Sequence, residues 1–273
     1  MRFAKMEGTG NDFVVTHEVE PSQVDAFVRG VPLLCDRRRG IGADGVVLIL
    51  PSNRADYRMR IFNADGSEAE MCGNGIRCMV VYLEKKGMTA KGLLSVETGA
   101  GLVSTSRLDK QVRVDMGPPI LDADKIPTTK PGGGRVIMES LTVGDRVMRV
   151  TAVSMGNPHA VVFVAALTDD LVERYGKLLE HHQFFPRRVN AEFVRLISDS
   201  EIEMRVWERG CGETMACGTG ACAAVVSGIL NGKLGAKVAV HLLGGDLFVE
   251  WDGEASHSVS LTGPARWVFE GEI

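Results

Sequence analysis

The sequence predicts an α+β protein of two similar α/β halves, each a sheet curled around a central helix. Three observations predict it. First, Asn63-Ala64-Asp65-Gly66-Ser67-Glu68 leads to Cys72-Gly73-Asn74-Gly75, and Glu208-Arg209-Gly210-Cys211-Gly212-Glu213 leads to Cys217-Gly218-Thr219-Gly220, so a cysteine twice precedes Gly-x-Gly at the head of an apolar run. Second, Cys217 follows Cys72 by 145 positions (217 minus 72), and four blocks repeat in the same order at nearly that spacing. Arg60-Ile61-Phe62 lies over Arg205-Val206-Trp207, Gly10-Asn11 over Gly156-Asn157, and Ile41-Gly42-Ala43-Asp44 over Val189-Asn190-Ala191-Glu192, the last at an offset of 148 (189 minus 41). Two long copies argue for duplicated halves and against a solenoid of short repeats. Third, the run after Cys217 (Ala221, Cys222, Ala223, Ala224, Val225, Val226, Ile229) is apolar on nearly every face, as a helix buried all round must be.

Each half reads alike. A first strand over Phe13-Val14-Val15, or Ala160–Phe163, leads to a helix near Ser22–Arg29, or Asp169–His181. Thr168 is the expected N-cap of the latter, with Asp169 and Asp170 in its first turn. Strands follow over Val46–Leu50 and Tyr57–Phe62, matched by Phe193–Ile197 and Ile202–Trp207. The Cys-Gly-x-Gly turns then open helices near Gly75–Lys86 and Gly220–Leu230, which stop at Gly87 and Asn231-Gly232. Alternating strands over Gln111–Asp115 and Asp246–Trp251 come next. A flexible loop is expected over Lys130-Pro131-Gly132-Gly133-Gly134, and the boundary between halves near Gly117-Pro118-Pro119. The expected division is 1–117 plus 264–273, and 118–263.

Composition narrows the function. With 273 residues and 45% hydrophobic content the chain can bury a large core in one or two domains. A net charge of −4, with basic runs no longer than Arg37-Arg38-Arg39, argues against nucleic acid. No apolar run is long enough to span a membrane, and the N-terminus lacks a secretory core, so the mature protein is expected to start here. Six cysteines are too sparse for a disulfide scaffold, which points to a reducing, cytoplasmic home.

Several glycine and cysteine motifs bear on the chemistry. Gly40-Ile41-Gly42-Ala43-Asp44-Gly45 matches a dinucleotide fingerprint in letters, but runs into a strand where that motif opens a helix. Gly218–Ala223 opens a helix without a strand directly before it. Cys72, Cys78, Cys217 and Cys222 contain no C-x₂-C pair, so no metal site is expected; Cys78 and Cys222 read as small core residues. Cys35 has no motif around it, and Cys211 lies in the site loop without an expected part in the chemistry. Cys72 and Cys217 differ, because a helix N-terminus begins at each. Its N–H groups and dipole favour a thiolate and an anion, and are expected to lower the thiol pKa. Two such turns on matched halves, facing one another, would hold a carboxylate with a thiol on each side of its α-carbon. One thiolate would take the proton and the opposite thiol return one, inverting the centre.

The motifs resemble those of the diaminopimelate epimerase family over essentially the whole chain. They are Asn63–Glu68 with Cys72-Gly73-Asn74-Gly75 and Arg77-Cys78, Glu208-Arg209-Gly210 with Gly212-Glu213-Thr214 and Ala216–Gly220, Gly10-Asn11-Asp12-Phe13, and Ser154–His159. The resemblance implies a cofactor-independent enzyme that interconverts LL- and meso-2,6-diaminopimelate for lysine and cell-wall synthesis, working as a homodimer. It implies two barrel-like halves with the last strand returning to the first, and an active site between them. It makes Cys72 and Cys217 the acid/base pair, with backbone N–H groups of Gly73, Asn74, Gly218 and Thr219 on the reacting carboxylate. Glu208 would take the reacting amino group, with His159 nearby; Asn63, Asn157, Asn190 and Arg209 would grip the distal centre, with Asn11 close by. Gly45 departs from the Gln that several members carry. A proline or hydroxyproline racemase of the same fold is the related alternative, and a zinc or redox cysteine protein the alternative of another class.

Overall fold

The computed structural model describes residues 1–130 and 132–273. In chain order it contains β1 (Arg2–Gly8), β2 (Asn11–Thr16), α1 (Val24–Val28), α2 (Val31–Cys35), β3 (Gly45–Leu50), β4 (Tyr57–Asn63), β5 (Glu68–Ala69), α3 (Gly73–Lys85), β6 (Leu93–Thr98), β7 (Gly101–Leu108) and β8 (Gln111–Asp115). There follow β9 (Glu139–Val143), β10 (Arg146–Ser154), β11 (Pro158–Phe163), α4 (Gly176–Glu180), β12 (Asn190–Leu196), β13 (Glu201–Glu208), β14 (Gly212–Thr214), α5 (Gly218–Leu230), β15 (Lys237–Leu242), β16 (Gly245–Glu250), β17 (Ser260–Pro264) and β18 (Arg266–Glu272). The chain divides into two units, Met1–Asp115 with Thr262–Ile273, and Met116–Leu261.

In the first unit β1 runs antiparallel to β18 and β2, and β2 is parallel to β3. β3 is antiparallel to β4, which is parallel to β6; β6, β7 and β8 then form a meander. Strands from opposite ends of that order, β18 and β8, both pack on α3, so the sheet curls around the helix. Every residue of α3 from Gly73 to Leu83 is buried, Asn74 and Arg77 included. A second core cluster, with Val14, Val46, Leu48 and Phe62, lies with Val24, Val31 and Cys35 of α1 and α2.

The second unit repeats the plan. β9, β10 and β11 are antiparallel, β11 is parallel to β12, β12 antiparallel to β13, β13 parallel to β15, and β15 antiparallel to β16. Its core around α5 joins Val225 and Val226 to Val161, Met204, Val240 and Val249. A separate cluster, with Val172, Tyr175 and Leu179, covers Val150, Val162 and Phe193 of the same sheet.

The repeat extends to register and ion pairs. Phe62 pairs with Glu68 across β4–β5, and Trp207 with Glu213 across β13–β14. Arg60 grips Glu68 through two 2.7 Å bonds. Its counterpart Arg205 grips Glu213 at 2.6 and 2.8 Å. The ladder corrects one expectation. Val46 opposes Phe62 and Ala191 opposes Trp207, so β3 and β12 correspond at 145 (191 minus 46), not at 148. Similar letters in the approach to each strand were three residues out of step; the hydrogen-bond ladder, which sets which face each side chain takes, decides.

The early helices also differ from expectation. The first breaks into a 3₁₀ turn (Pro21–Gln23), α1 and α2, because Gly30 and Pro32 interrupt it. The second carries a π-turn (Leu171–Tyr175) before α4, and Thr168 Oγ1 accepts the Leu171 N–H at 3.2 Å as its cap. The loop expected over 130–134 includes Pro131, which lies outside the described residues. No helix among the described residues is long and apolar enough to cross a membrane.

Candidate active site

Each unit places its cysteine at the N-cap of its central helix, in extended backbone at φ −145° for Cys72 and −126° for Cys217. The glycines that follow are forced by packing. A Cβ on Gly75 would lie 2.9 Å from Ile61 Cδ1, and one on Gly220 2.9 Å from Glu192 Oε1. Bare backbone therefore meets the sheet, and in the first unit a first-turn N–H is brought to the sulfur. Gly75 N–H donates to Cys72 Sγ at 3.4 Å. The match is not complete, since Cys217 Sγ caps no backbone N–H and lies instead 3.4 Å from Thr219 Oγ1.

In the first unit Asn74 is buried on α3, its Oδ1 accepting from Arg77 Nη2 at 2.9 Å and its Nδ2 donating to Asn11 Oδ1 at 3.4 Å. The amide nitrogen of Asn11 donates to Asp44 Oδ2 at 2.7 Å. Asp44 is braced with Asp12 by Arg37. Arg77, wholly buried, also donates to Gly73 O, Pro264 O and Thr9 Oγ1. Cys72, Gly73, Asn74 and Asn11 thus form one connected group. Asn63 stands apart from this network at the exposed end of β4, donating to Ser67 Oγ at 3.0 Å. Gly45 has no room for a side chain, since a Cβ there would sit 2.5 Å from Phe62 O.

In the second unit His159 is wholly buried between Asn157 Oδ1, 2.9 Å from Nε2, and Glu192 Oε1, 2.7 Å from Nδ1. Asn190 opposes His159 in the β11–β12 ladder. Its amide is spent on backbone, donating to Pro158 O and accepting from Arg209 N–H at 2.8 Å, so it anchors the Arg209 turn. Arg209 itself is exposed, with Nη1 3.3 Å from Arg187 O. Glu208 accepts from the Thr214 hydroxyl at 2.5 Å. Cys211 is exposed at the tip of this loop, its N–H on Glu208 O. A cleft of about 450 Å³ lined by Thr129, Ser140, Thr142, His182 and Phe184 contains none of these residues.

The electrostatics overturn one expectation. At Cys217 the helix N-terminus does not win: burial, followed by the charges of Glu208 and Glu192, drives the thiol well above its usual range, against Thr219 and Gly220. A cap interaction is worth only ~0.3–1 kcal/mol, up to ~2 when partly buried. Desolvation of a wholly enclosed thiolate exceeds that. Burial likewise raises the Glu192 carboxyl. Sequence reasoning gave no role to Glu192, Arg77, Asp44 or Thr214. The visible signal for Glu192 was an acid between Ala191 and Phe193 in an otherwise apolar strand.

Comparison with known proteins agrees with the motifs. The sequence model described as diaminopimelate epimerase matches residues 3–121 and 151–268. A protein of Pelotomaculum thermopropionicum named diaminopimelate epimerase is 52% identical, covering 100% of this chain and 98% of its own length. One from Methanococcus maripaludis, of the same name, is 49% identical, covering 100% and 99%. Among solved structures, a hydroxyproline epimerase from Agrobacterium vitis superposes at a TM-score of 0.73 with 18% identity, covering 100% of this chain and 90% of that one. A phenazine biosynthesis protein from Bacillus anthracis does so at 0.69 with 16% identity, covering 100% and 98%. At these identities the two structures share the fold alone.

Proposed function

The chain belongs to the diaminopimelate epimerase family, and we propose that it is an isomerase interconverting LL- and meso-2,6-diaminopimelate by a two-thiol mechanism. The observation that carries the mechanism is the duplicated helix start: two units of the same register, each with a cysteine at the N-cap of a buried helix and bare backbone N–H groups behind it. One thiolate removes the α-proton and the other thiol returns a proton from the opposite face. Cys217, with its proton held tightly by burial, rests as the acid. Cys72, half-buried and receiving the Gly75 N–H, is the base for that direction.

In this reading the N–H groups of Gly73, Asn74, Gly218 and Thr219 receive the reacting carboxylate, where the helix dipole favours an anion. Glu208 takes the reacting ammonium. Arg209 pairs with the distal carboxylate as a planar fork, and Asn11, Asn63, Asn157 and Asn190 complete or brace the grip. General acid–base catalysis supplies ~10²–10⁴-fold, or roughly 3–5 kcal/mol of the ~8–23 kcal/mol that enzymes remove from a barrier. Positioning and exclusion of water supply the remainder.

The reading extends to a cytoplasmic homodimer without a cofactor, serving lysine synthesis. Exposed Val268 and Phe269 on β18 support a second copy docking there; light scattering tests it. Incubation with LL-diaminopimelate, and separately with L-proline, tests the activity when stereochemistry is followed. Inversion of diaminopimelate alone is expected; inversion of proline alone would favour the racemase alternative.

A further inference from the structure

The duplication is broken at one buried place. The ladders make Val47 of β3 the counterpart of Glu192 of β12 (192 minus 47 is 145), and Phe13 of β2 the counterpart of His159 of β11. Both places lie under the first turn of the central helix: a Cβ on Gly75 would be 3.3 Å from Val47 Cγ2, and one on Gly220 2.9 Å from Glu192 Oε1. One unit fills the place with an apolar pair, the other with an acid and an imidazole, both side chains 0% exposed.

The hydrogen bonds count the protons. Asn157 Oδ1 lies 2.9 Å from His159 Nε2, an arrangement that requires a hydrogen on Nε2. Nδ1, 2.7 Å from Glu192 Oε1, then either accepts from a carboxylic acid or donates as an imidazolium. Either way the pair is neutral overall. The other arrangement, a carboxylate with a neutral ring bearing its hydrogen on Nδ1, has a net charge and makes Nε2 an acceptor. Asn157 would then have to turn its amide nitrogen inward. Burial selects between them, because Glu192 Oε2 has no hydrogen-bond partner among the described residues and an uncompensated charge there is costly.

We propose that Glu192 is a positioning residue for Asn157: through His159 it keeps a hydrogen on Nε2, which holds Asn157 Oδ1 inward and leaves the amide hydrogens to meet an anionic group of the substrate. The inference rests on the proposed function in placing Asn157 against substrate. The upward push of burial on the Glu192 carboxyl works in the same direction. Asn11, the counterpart of Asn157, is set differently, since its amide nitrogen is spent on Asp44.

The test has a ligand-free arm and a binding arm. In protein labelled with ¹⁵N-histidine, long-range ¹H–¹⁵N spectra, assigned with His159→Gln, should show Nε2 of His159 as a protonated, pyrrole-type nitrogen. Glu192→Gln can still donate to Nδ1 and should preserve that signature and bind meso-diaminopimelate within about threefold of the unaltered protein. Glu192→Val, which installs the residue of the other unit, frees both tautomers and should weaken that binding roughly tenfold. A pyridine-type Nε2 in the unaltered protein overturns the proposal. So does a Val variant that binds as tightly as the unaltered protein, or a Gln variant as weak as the Val one. If the unaltered protein neither binds nor inverts diaminopimelate, the proposed function fails, while the spectra still decide the role of Glu192.

Discussion

Replacing Arg77 by Met tests how the first cysteine turn is held. The guanidinium is wholly buried and donates to Thr9 Oγ1 at 2.7 Å, Gly73 O and Asn74 Oδ1 at 2.9 Å, and Pro264 O at 3.0 Å. Methionine fills part of the volume and removes the cost of burying a cation, several kcal/mol. It also takes a donor from four acceptors; Gly73 O keeps the residue-77 backbone N–H within α3, and the other three cost about 1–3 kcal/mol each, or roughly 3–9 kcal/mol gross. The stranded acceptors therefore win, and a net loss of about 3–5 kcal/mol is expected. Urea unfolding followed by circular dichroism should show the midpoint fall by about 1–2 M at unchanged slope. Arg77→Lys, a point charge unable to reach four acceptors, should fall between the two. Because Asn74 loses its Oδ1 donor, KM should also rise in either variant. A midpoint shift below about 0.3 M for Arg77→Met would refute the reasoning.

Three further outcomes are expected. Cys72→Ser and Cys217→Ser should each lose inversion by at least ~10²-fold, since a hydroxyl is a far weaker acid than a thiol. In D₂O a single turnover of the unaltered protein should place deuterium in the inverted product, and retention of the substrate's own α-proton there counts against two bases. Arg209→Lys should raise KM about tenfold with little change in kcat, and an unaltered KM would make Arg209 structural. Burial raises the Asp12 carboxyl, but bonds from Arg37 and Lys5 outweigh it and hold it well below the usual range. A depressed acid contributes stability above its unfolded pKa of about 3.9 and loses it as pH falls toward the folded value. Asp12→Asn should accordingly flatten the fall of Tm between about pH 4 and 2, and a Tm profile as steep as that of the unaltered protein would contradict the assignment.

What the sequence determined by itself was whatever is written in local chemistry. The two helix starts were legible because Cys-Gly-x-Gly before an apolar run leaves few other conformations. α5 was legible as a central helix because no polar residue marks an exposed face. The duplication was legible from letters at a constant spacing. Tertiary structure alone decided the rest, and the reason is register. A residue's face in a strand alternates with every position, so an offset of 148 or 145 moves Glu192 between opposite sides of the sheet. Only the ladder put its carboxyl under Cys217 and beside His159. Arg77 was visible in the motif, but its partners Thr9 and Pro264 come from the two ends of the chain. The acidity of Cys217 followed neither from its cap position nor from its neighbours in sequence. It follows from burial, which many distant residues set together and no short stretch records.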